Sequence, residues 1–317
     1  MLTFQSPHFD FQPLAEGVFG AIARDGGAGI ANAGLVDLGG LCLAYDTGLT
    51  PSAGADLLRA ARELTGRSPD LVISSHYHND HIWGNQAFVP GARFIASRLT
   101  RQLILSEGQL ELEDARAHAA DKLAAFQARH QNAQNEAERT AAAMWLGYYG
   151  GLVADLPRLA VTLPEILFEE QLSLQGSRRS ARLIAYPGGH TGSDAVLYLP
   201  EDGLVLMSDL LFVNFHPYLG DGDPQLLLQA LRAVLQLPAE RYLPGHGPLG
   251  TRCDLELIIA YVEDCLASAR TLAAAGPLDP QAIRALPIPA PYQAWQLPMF
   301  YYANLQSLAA RFSAATA

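Results

Sequence analysis

The segment HYHNDH at residues 76–81 gathers His76, His78, Asp80 and His81 directly after the apolar run LVISS. Imidazole and carboxylate groups are the side chains that hold zinc and related divalent ions. A lone histidine is more often a hydrogen-bonded core residue, but four ligand-type side chains in so short a stretch are not explained that way. If the strand persists to His78, its period of two sets the imidazoles of His76 and His78 on one side, with Asp80 and His81 in the turn that follows. Three more ligand-type residues sit in the same context downstream. ARLIAYPGGH delivers His190 behind two glycines that allow a tight turn, GLVLMSD delivers Asp209, and RYLPGHG delivers His246. Ligand types at the ends of four separate strands are what a convergent metal site requires, and α/β proteins build their sites at strand ends.

The elements that must carry these residues alternate strands with helices, the pattern of a layered α/β domain. GVFGAIA, GLVDL and LCLAYDTG are expected strands, followed by a helix from Pro51 to Gly66, the strand LVISS, and FIAS after Pro90. From about 98 to 160 the composition turns to Ala, Gln, Glu and Arg. Leu112, Ala115, Ala119, Leu123 and Phe126 recur at steps of three and four, predicting a helical insertion of two or three helices closed near Gly150 and Gly151. Met144, Trp145, Tyr148 and Tyr149 on its last helix either pack the insertion onto the body, the commoner fate of such a stripe, or wall a substrate pocket. Strands return with QLSLQ, ARLIAYPG and a hairpin turning at PEDG. A helix from about 224 to 235, the strand RYLPG and a long helix from about 254 to 275 complete the regular part. A Pro- and aromatic-rich tail from about 287 to 317 packs on the body and ends in a short helix. The expectation is one domain over 1–317.

The chain has 317 residues, 50% hydrophobic and 17% charged, a globular profile large enough for a substantial core. Its formal net charge is −11 and Lys122 is its single lysine. Arg178, Arg179 and Arg182 form the densest basic group, so no nucleic-acid partner is expected. No apolar run approaches the ~20 residues that span a bilayer, and the start lacks a basic segment leading into an apolar one. A cytoplasmic protein without membrane contact is the expectation. Cys42, Cys253 and Cys265 are too few and scattered for a disulfide framework or thiolate site and are expected as small buried hydrophobes.

The H-x-H-x-D-H segment with the later His190, Asp209 and His246, in order and each at a strand end, resembles the metallo-β-lactamase superfamily over about residues 30–250. DTG at Asp46 to Gly48 is similar to that family's early aspartate motif, and Asn32 sits where such sequences often carry asparagine. The resemblance implies a four-layered αββα sandwich with two zinc ions, iron or manganese also being acceptable. One ion would be held by His76, His78 and His190, the other by Asp80, His81 and His246, with Asp209 bridging and Asp46 supporting from behind. It implies hydrolysis by a shared hydroxide, with Asp80 and Asp209 as catalytic residues. True β-lactamases of the superfamily usually lack an aspartate at the bridging position, whereas its thioesterases, lactonases and phosphodiesterases keep it, so Asp209 argues against antibiotic hydrolysis and the chain resembles the glyoxalase II-like and lactonase-like branch. A small ester, lactone or thioester is the expected substrate. An iron persulfide dioxygenase-like oxidoreductase and a phosphodiesterase or nuclease of the same fold are the alternatives. Trp83, Phe212, Phe215 and Tyr218 are candidate pocket residues, and His216 is a candidate proton donor or else an ordinary loop histidine. His8, His118 and His130 are taken as structural. The sequence leaves the oligomeric state open, and the apolar stripe of the insertion is compatible with a homodimer.

Overall fold

The structure is a computed structural model that describes residues 4–276 and 279–316; residues 1–3, 277, 278 and 317 lie outside it. Short aliphatic runs broken by turns give strands β1 (Phe9–Ala15), β2 (Val18–Ala23), β3 (Ala33–Asp37) and β4 (Cys42–Tyr45), each antiparallel to the one before. Helix α1 (Pro51–Thr65) follows. Thr50 accepts from the Ala53 amide at its start, Pro51 takes the first turn where no donor is needed, and Gly66 ends it at φ 74°. This crossover lets β5 (Leu71–Ile73) run parallel to β4. After a one-turn helix α2 (Asn79–Ile82) comes β6 (Arg93–Ser97), again parallel. Helices α3 (Arg98–Leu103), α4 (Gln109–Gln131) and α5 (Glu136–Asp155) then intervene before β7 (Ile166–Phe168) completes a seven-stranded sheet in sequence order.

The second sheet starts with β8 (Gln171–Gln175), β9 (Ser180–Tyr186), β10 (Asp194–Leu199) and β11 (Leu204–Phe212), an antiparallel meander. Helix α6 (Pro224–Val234) crosses back so that β12 (Arg241–His246) lies parallel to β11, with β13 (Gly250–Thr251) at the edge. Helices α7 (Arg252–Ala274), α8 (Pro280–Arg284) and α9 (Pro298–Thr316) finish the chain. Thr251 and Asp254 start α7 with a reciprocal capping box.

Between the sheets Val36, Leu43, Leu183, Leu197, Leu206 and Leu243 are buried together, each leucine there contributing about 1.5–3 kcal/mol by leaving water. Gly34 marks a close approach of the two sheets, since a Cβ there would sit 2.2 Å from Leu206 Cδ2. Leu57, Ala60 and Ala61 of α1 cover the outer face of the first sheet, and Leu231, Ile258 and Leu305 of α6, α7 and α9 cover the second. The result is the expected αββα sandwich. Several sequence expectations need correction. β1, β7 and β13 are strands the pattern did not flag, being short or at edges. The inserted helix α5 runs straight through Gly150 and Gly151, where closure was expected. The tail's helix α9 is 19 residues long, not short, because its apolar side is taken up by α7. Cys253 is exposed, unlike Cys42 and Cys265. Among the described residues no helix is long and apolar enough to cross a membrane.

Candidate metal centre

Both sheets deliver ligand-type residues to one edge. β5 stops at Ile73, so strand alternation does not align His76 with His78 as expected. Instead His76 follows in a buried loop, His78 is the extended N-cap residue of α2, and Asp80 and His81 lie in its single turn. From the second sheet, His190 follows β9 through Gly188, whose φ of 86° requires a glycine. Asp209 lies within β11 and not at its end. Ser208 beside it has φ 47°, and the β11–β12 register shifts on both sides of it. That irregularity breaks the ladder and re-aims the aspartate, the usual effect of a bulge. His246 is the last residue of β12.

The ligand atoms of His76, His78, His190 and Asp209 lie within 4.8 Å of one another, and so do those of Asp80, His81 and His246. Asp209 reaches both groups. Its Oδ2 is 3.3 Å from His190 Nε2, while its Oδ1 is 3.1 Å from His81 Nε2 and 3.4 Å from His246 Nε2. Asp80 Oδ2 is 3.5 Å from His246 Nε2. His76 Nε2, His81 Nε2 and Asp209 Oδ1 are buried without a partner in hydrogen-bonding geometry. Orphaned buried polar atoms are costly, of order 1–3 kcal/mol each. Divalent cations would satisfy all three, so these residues fit metal ions chemically.

The surrounding shell turns the rings. Asp46, fully buried at φ 55°, accepts at Oδ2 from His81 Nδ1 at 2.9 Å and from the Ser75 and Ser208 hydroxyls at 2.8 Å, and at Oδ1 from the Ser75 amide. A proton fixed on His81 Nδ1 turns its Nε2 toward the aspartates, where it can bind a cation once its own proton is displaced. Ser75 Oγ does the same for His76, 2.9 Å from its Nδ1. Asp221 Oδ2 lies 3.2 Å from His78 Nε2, leaving Nδ1, 3.3 Å from His190 Nε2, as the inward atom. Asn32 donates to the Pro244 and Gly247 carbonyls and so ties the strand bearing His246 to the first sheet.

Charges are distributed accordingly. Burial holds His76 well below the ordinary histidine range and pushes His190 down to about 4, so both are neutral donors at pH 7. For His81 burial pulls the same way, but Asp209, Asp80 and Asp46 outweigh it and raise the group well above its usual value. Burial opposes ionisation of Asp209, yet His246 and His81 hold it well below the carboxylate range.

A cavity of about 250 Å³ opens above the site, with His78, Asp80, His190, Asp209 and His246 along its floor. Met144, Trp145 and Tyr148 of α5 form one wall. Phe212, Tyr218, Leu297 and Phe300 face them, with Ile30 at the rim. The Tyr148 hydroxyl is paired with the Asn79 side chain, 2.9 Å from its Nδ2.

The family model of the Metallo-beta-lactamase superfamily matches residues 26–246. The chain belongs to that superfamily. Its fold is similar to that of a metallo-beta-lactamase from Pontibacter korlensis, at 17% identity and a TM-score of 0.58 over 80% of this chain and 99% of that one. It is also similar to a metallo-beta-lactamase from Erythrobacter litoralis, at 17% and 0.57 over 83% and 99%. FIM-1 from Pseudomonas aeruginosa, solved in a mono-zinc form, gives 16% and 0.56 over 83% and 98%. No curated protein matches the sequence. Likeness at these identities establishes the superfamily's fold and leaves activity to be argued from the site.

Of the pocket candidates read from sequence, Phe212 and Tyr218 line the cavity of this superfamily member. Trp83 does not. It is core, buried with Ile82, Ile104 and Leu152, because the turn after α2 points it under the insertion. Phe215 lies near His246, with ring centroids 6.3 Å apart, but packs against the second core and not into the cavity. His216 is fully buried beside Tyr261, Trp295 and Tyr301, its Nδ1 3.2 Å from the Tyr261 hydroxyl, so it has no access to a substrate. The stripe Met144, Trp145, Tyr148 and Tyr149, expected mainly as packing, divides: the first three wall the cavity, while Tyr149, and Tyr148 in part, pack against the core under the insertion. Sequence reasoning missed Ser75, Ser208 and Asp221. The two serines could have been suspected from their places beside His76 and Asp209; Asp221 lies in a GDGD turn with no such signal. The basic cluster is structural, with Arg178 paired to Asp37, Arg179 to Asp202, and Arg182 over the Tyr198 ring.

Proposed function

We propose that this superfamily member is a zinc-dependent hydrolase of a small ester, lactone or thioester, with His76, His78 and His190 on one ion, Asp80, His81 and His246 on the other, and Asp209 shared. The observation that carries this is Asp209, whose two carboxylate oxygens face opposite ligand groups. A metal pair supplies Lewis acidity and lowers the pKa of water from ~15.7 toward ~7. The water oxygen adds to the acyl carbon and the C–O or C–S bond breaks; one proton of the water goes to the departing alcohol or thiol, the other to solvent, and the acyl group ends as a carboxylate. The chain's own groups do the rest. Asp80, on the cavity floor, would orient the attacking water, Asp46 and Ser75 would hold the imidazoles in the donor tautomer, and the apolar walls would limit the water around the reacting bond. Elemental mass spectrometry on protein purified without added metal should return about two zinc ions per chain; a single iron would move the chemistry to oxidation. Asp209→Ala should lower turnover of any hydrolysed substrate by orders of magnitude, and unchanged turnover removes Asp209 from its shared position.

A further inference from the structure

Building on the hydrolase assignment, we propose that the acyl group of the substrate is uncharged and apolar, and that the Trp145 indole sets how long it can be. Above the floor the walls are mostly apolar, formed by Met144, Trp145, Phe212, Leu297 and Phe300 with the rings of Tyr148 and Tyr218, whose uncharged hydroxyls are their only polar groups beside the Trp145 indole N–H. Among the described residues no lysine or arginine lines it. A carboxylate or phosphate on the acyl group would therefore be desolvated against these walls without a counter-charge, which proteins avoid. Apolar walls with a few convergent polar groups at one end are the ordinary construction of a site for a hydrophobic ligand fixed at its reacting end. A cavity of roughly 150 Å³ accommodates benzene, so about 250 Å³ takes a ring with a short linker or an alkyl chain of moderate length.

Trp145 faces two spaces. It lines this cavity and also a larger one of about 610 Å³, bounded by Phe126, Arg129 and Met299 on the outer side of α5. The indole is held as a partition by stacking on Phe126, with centroids 5.6 Å apart and planes 20° apart, and by edge contact with Tyr148 at 5.7 Å. Tyr148 is in turn anchored to Asn79, next to the Asp80 ligand position. Removing the indole joins the inner cavity to the outer one and leaves the metal-ligand residues untouched. Two wall residues, Leu297 and Phe300, lie beyond the 26–246 span that matches the superfamily. The C-terminal segment thus completes a chamber whose other walls lie within the family-matched span.

The test uses full-length, zinc-replete wild type, Trp145→Ala and Trp145→Phe with p-nitrophenyl esters that share one leaving group. The acyl series runs acetate, butyrate, hexanoate, phenylacetate and decanoate, with a carboxylate-bearing glutarate and a trimethylammonium-bearing butyrate as charged members. For wild type, kcat/KM should peak at hexanoate or phenylacetate, about tenfold or more above acetate and both charged esters, since one or two well-seated groups discriminate on that scale. Trp145→Ala should move the optimum to decanoate, while Trp145→Phe keeps the wild-type profile. Equal or better cleavage of a charged ester, or an alanine variant with wild-type circular dichroism and an unchanged length profile, overturns the proposal while leaving the hydrolase assignment intact. Should none of the proteins cleave any ester, the esterase form of the hydrolase assignment fails, and calorimetric titration with the matching amides decides the chamber's chemistry separately. Tighter binding of the neutral hexanoyl amide than of its charged counterparts supports an apolar chamber, and the absence of that preference overturns it.

Discussion

Acid should destabilise this protein through a histidine that has nothing to do with catalysis. His216 is fully buried among Tyr261, Trp295 and Tyr301, and burial pushes its pKa down to about 4. An unfolded histidine titrates near 6.5. Between those two values the unfolded chain binds a proton that the native state refuses, so stability falls as pH drops through this window and is restored above it. At about 1.4 kcal/mol per pH unit, the loss attributable to His216 is about 2 kcal/mol at pH 5 and about 3 kcal/mol once pH 4 is reached. His216→Phe keeps an aromatic ring in the same box and removes the titration. Urea unfolding of chelator-treated wild type and variant at pH 7.5, 6, 5 and 4.5 isolates the effect, because the ligand histidines titrate equally in both. The variant should gain on wild type steadily as pH falls, by about 2 kcal/mol between pH 7.5 and 5. Parallel stability curves over that range would refute the assignment of a buried neutral imidazole at 216.

Two further outcomes follow from the site's supports. Asp221→Ala removes the carboxylate facing His78 Nε2 and should weaken zinc binding about 10- to 100-fold in chelator competition, as loss of such outer partners typically does; Asp221→Glu should recover part of it, and unchanged affinity would show that Asp221 does not orient His78. Gly245→Ala would put a Cβ 1.8 Å from Asp209 Oδ1 and 2.8 Å from the Ser208 carbonyl carbon. The backbone on that side cannot yield, so the variant should lose at least one zinc by elemental analysis and about 1–3 kcal/mol of stability from overpacking.

The ligand residues were legible because chemistry and spacing coincide: His76, His78, Asp80 and His81 are close in sequence, and His190, Asp209 and His246 each follow an apolar run beside glycine or serine. The sandwich was legible from the alternation of strand and helix patterns. What failed was local backbone geometry. The bulge at Ser208 depends on how β11 registers with β12, a pairing between strands some thirty residues apart that no period announces. Helix α5 runs through two glycines because Gly151 fits against Ala28, where a Cβ would come within 2.4 Å, so tertiary contact overrides a poor helix propensity. The aromatic stripe of α5 reads alike whether it faces a core or a cavity, since periodicity gives a face and not what lies opposite. Asp221 becomes recognisable only when Arg311 and Asn304 of α9 are seen holding the 217–222 loop against His78.

The division of ligand residues between the two sheets has a mechanical side. His76, His78, Asp80 and His81 stand at the edge of the first sheet, and His190, Asp209 and His246 at the edge of the second. Any ion shared across that seam is a rivet between the two halves of the sandwich. Its binding free energy would be spent partly on clamping the halves together, so that stripping the ion loosens the seam before it melts either sheet. A catalytic centre placed there doubles as a latch, and the protein's resistance to heat becomes tied to how tightly it keeps its metal.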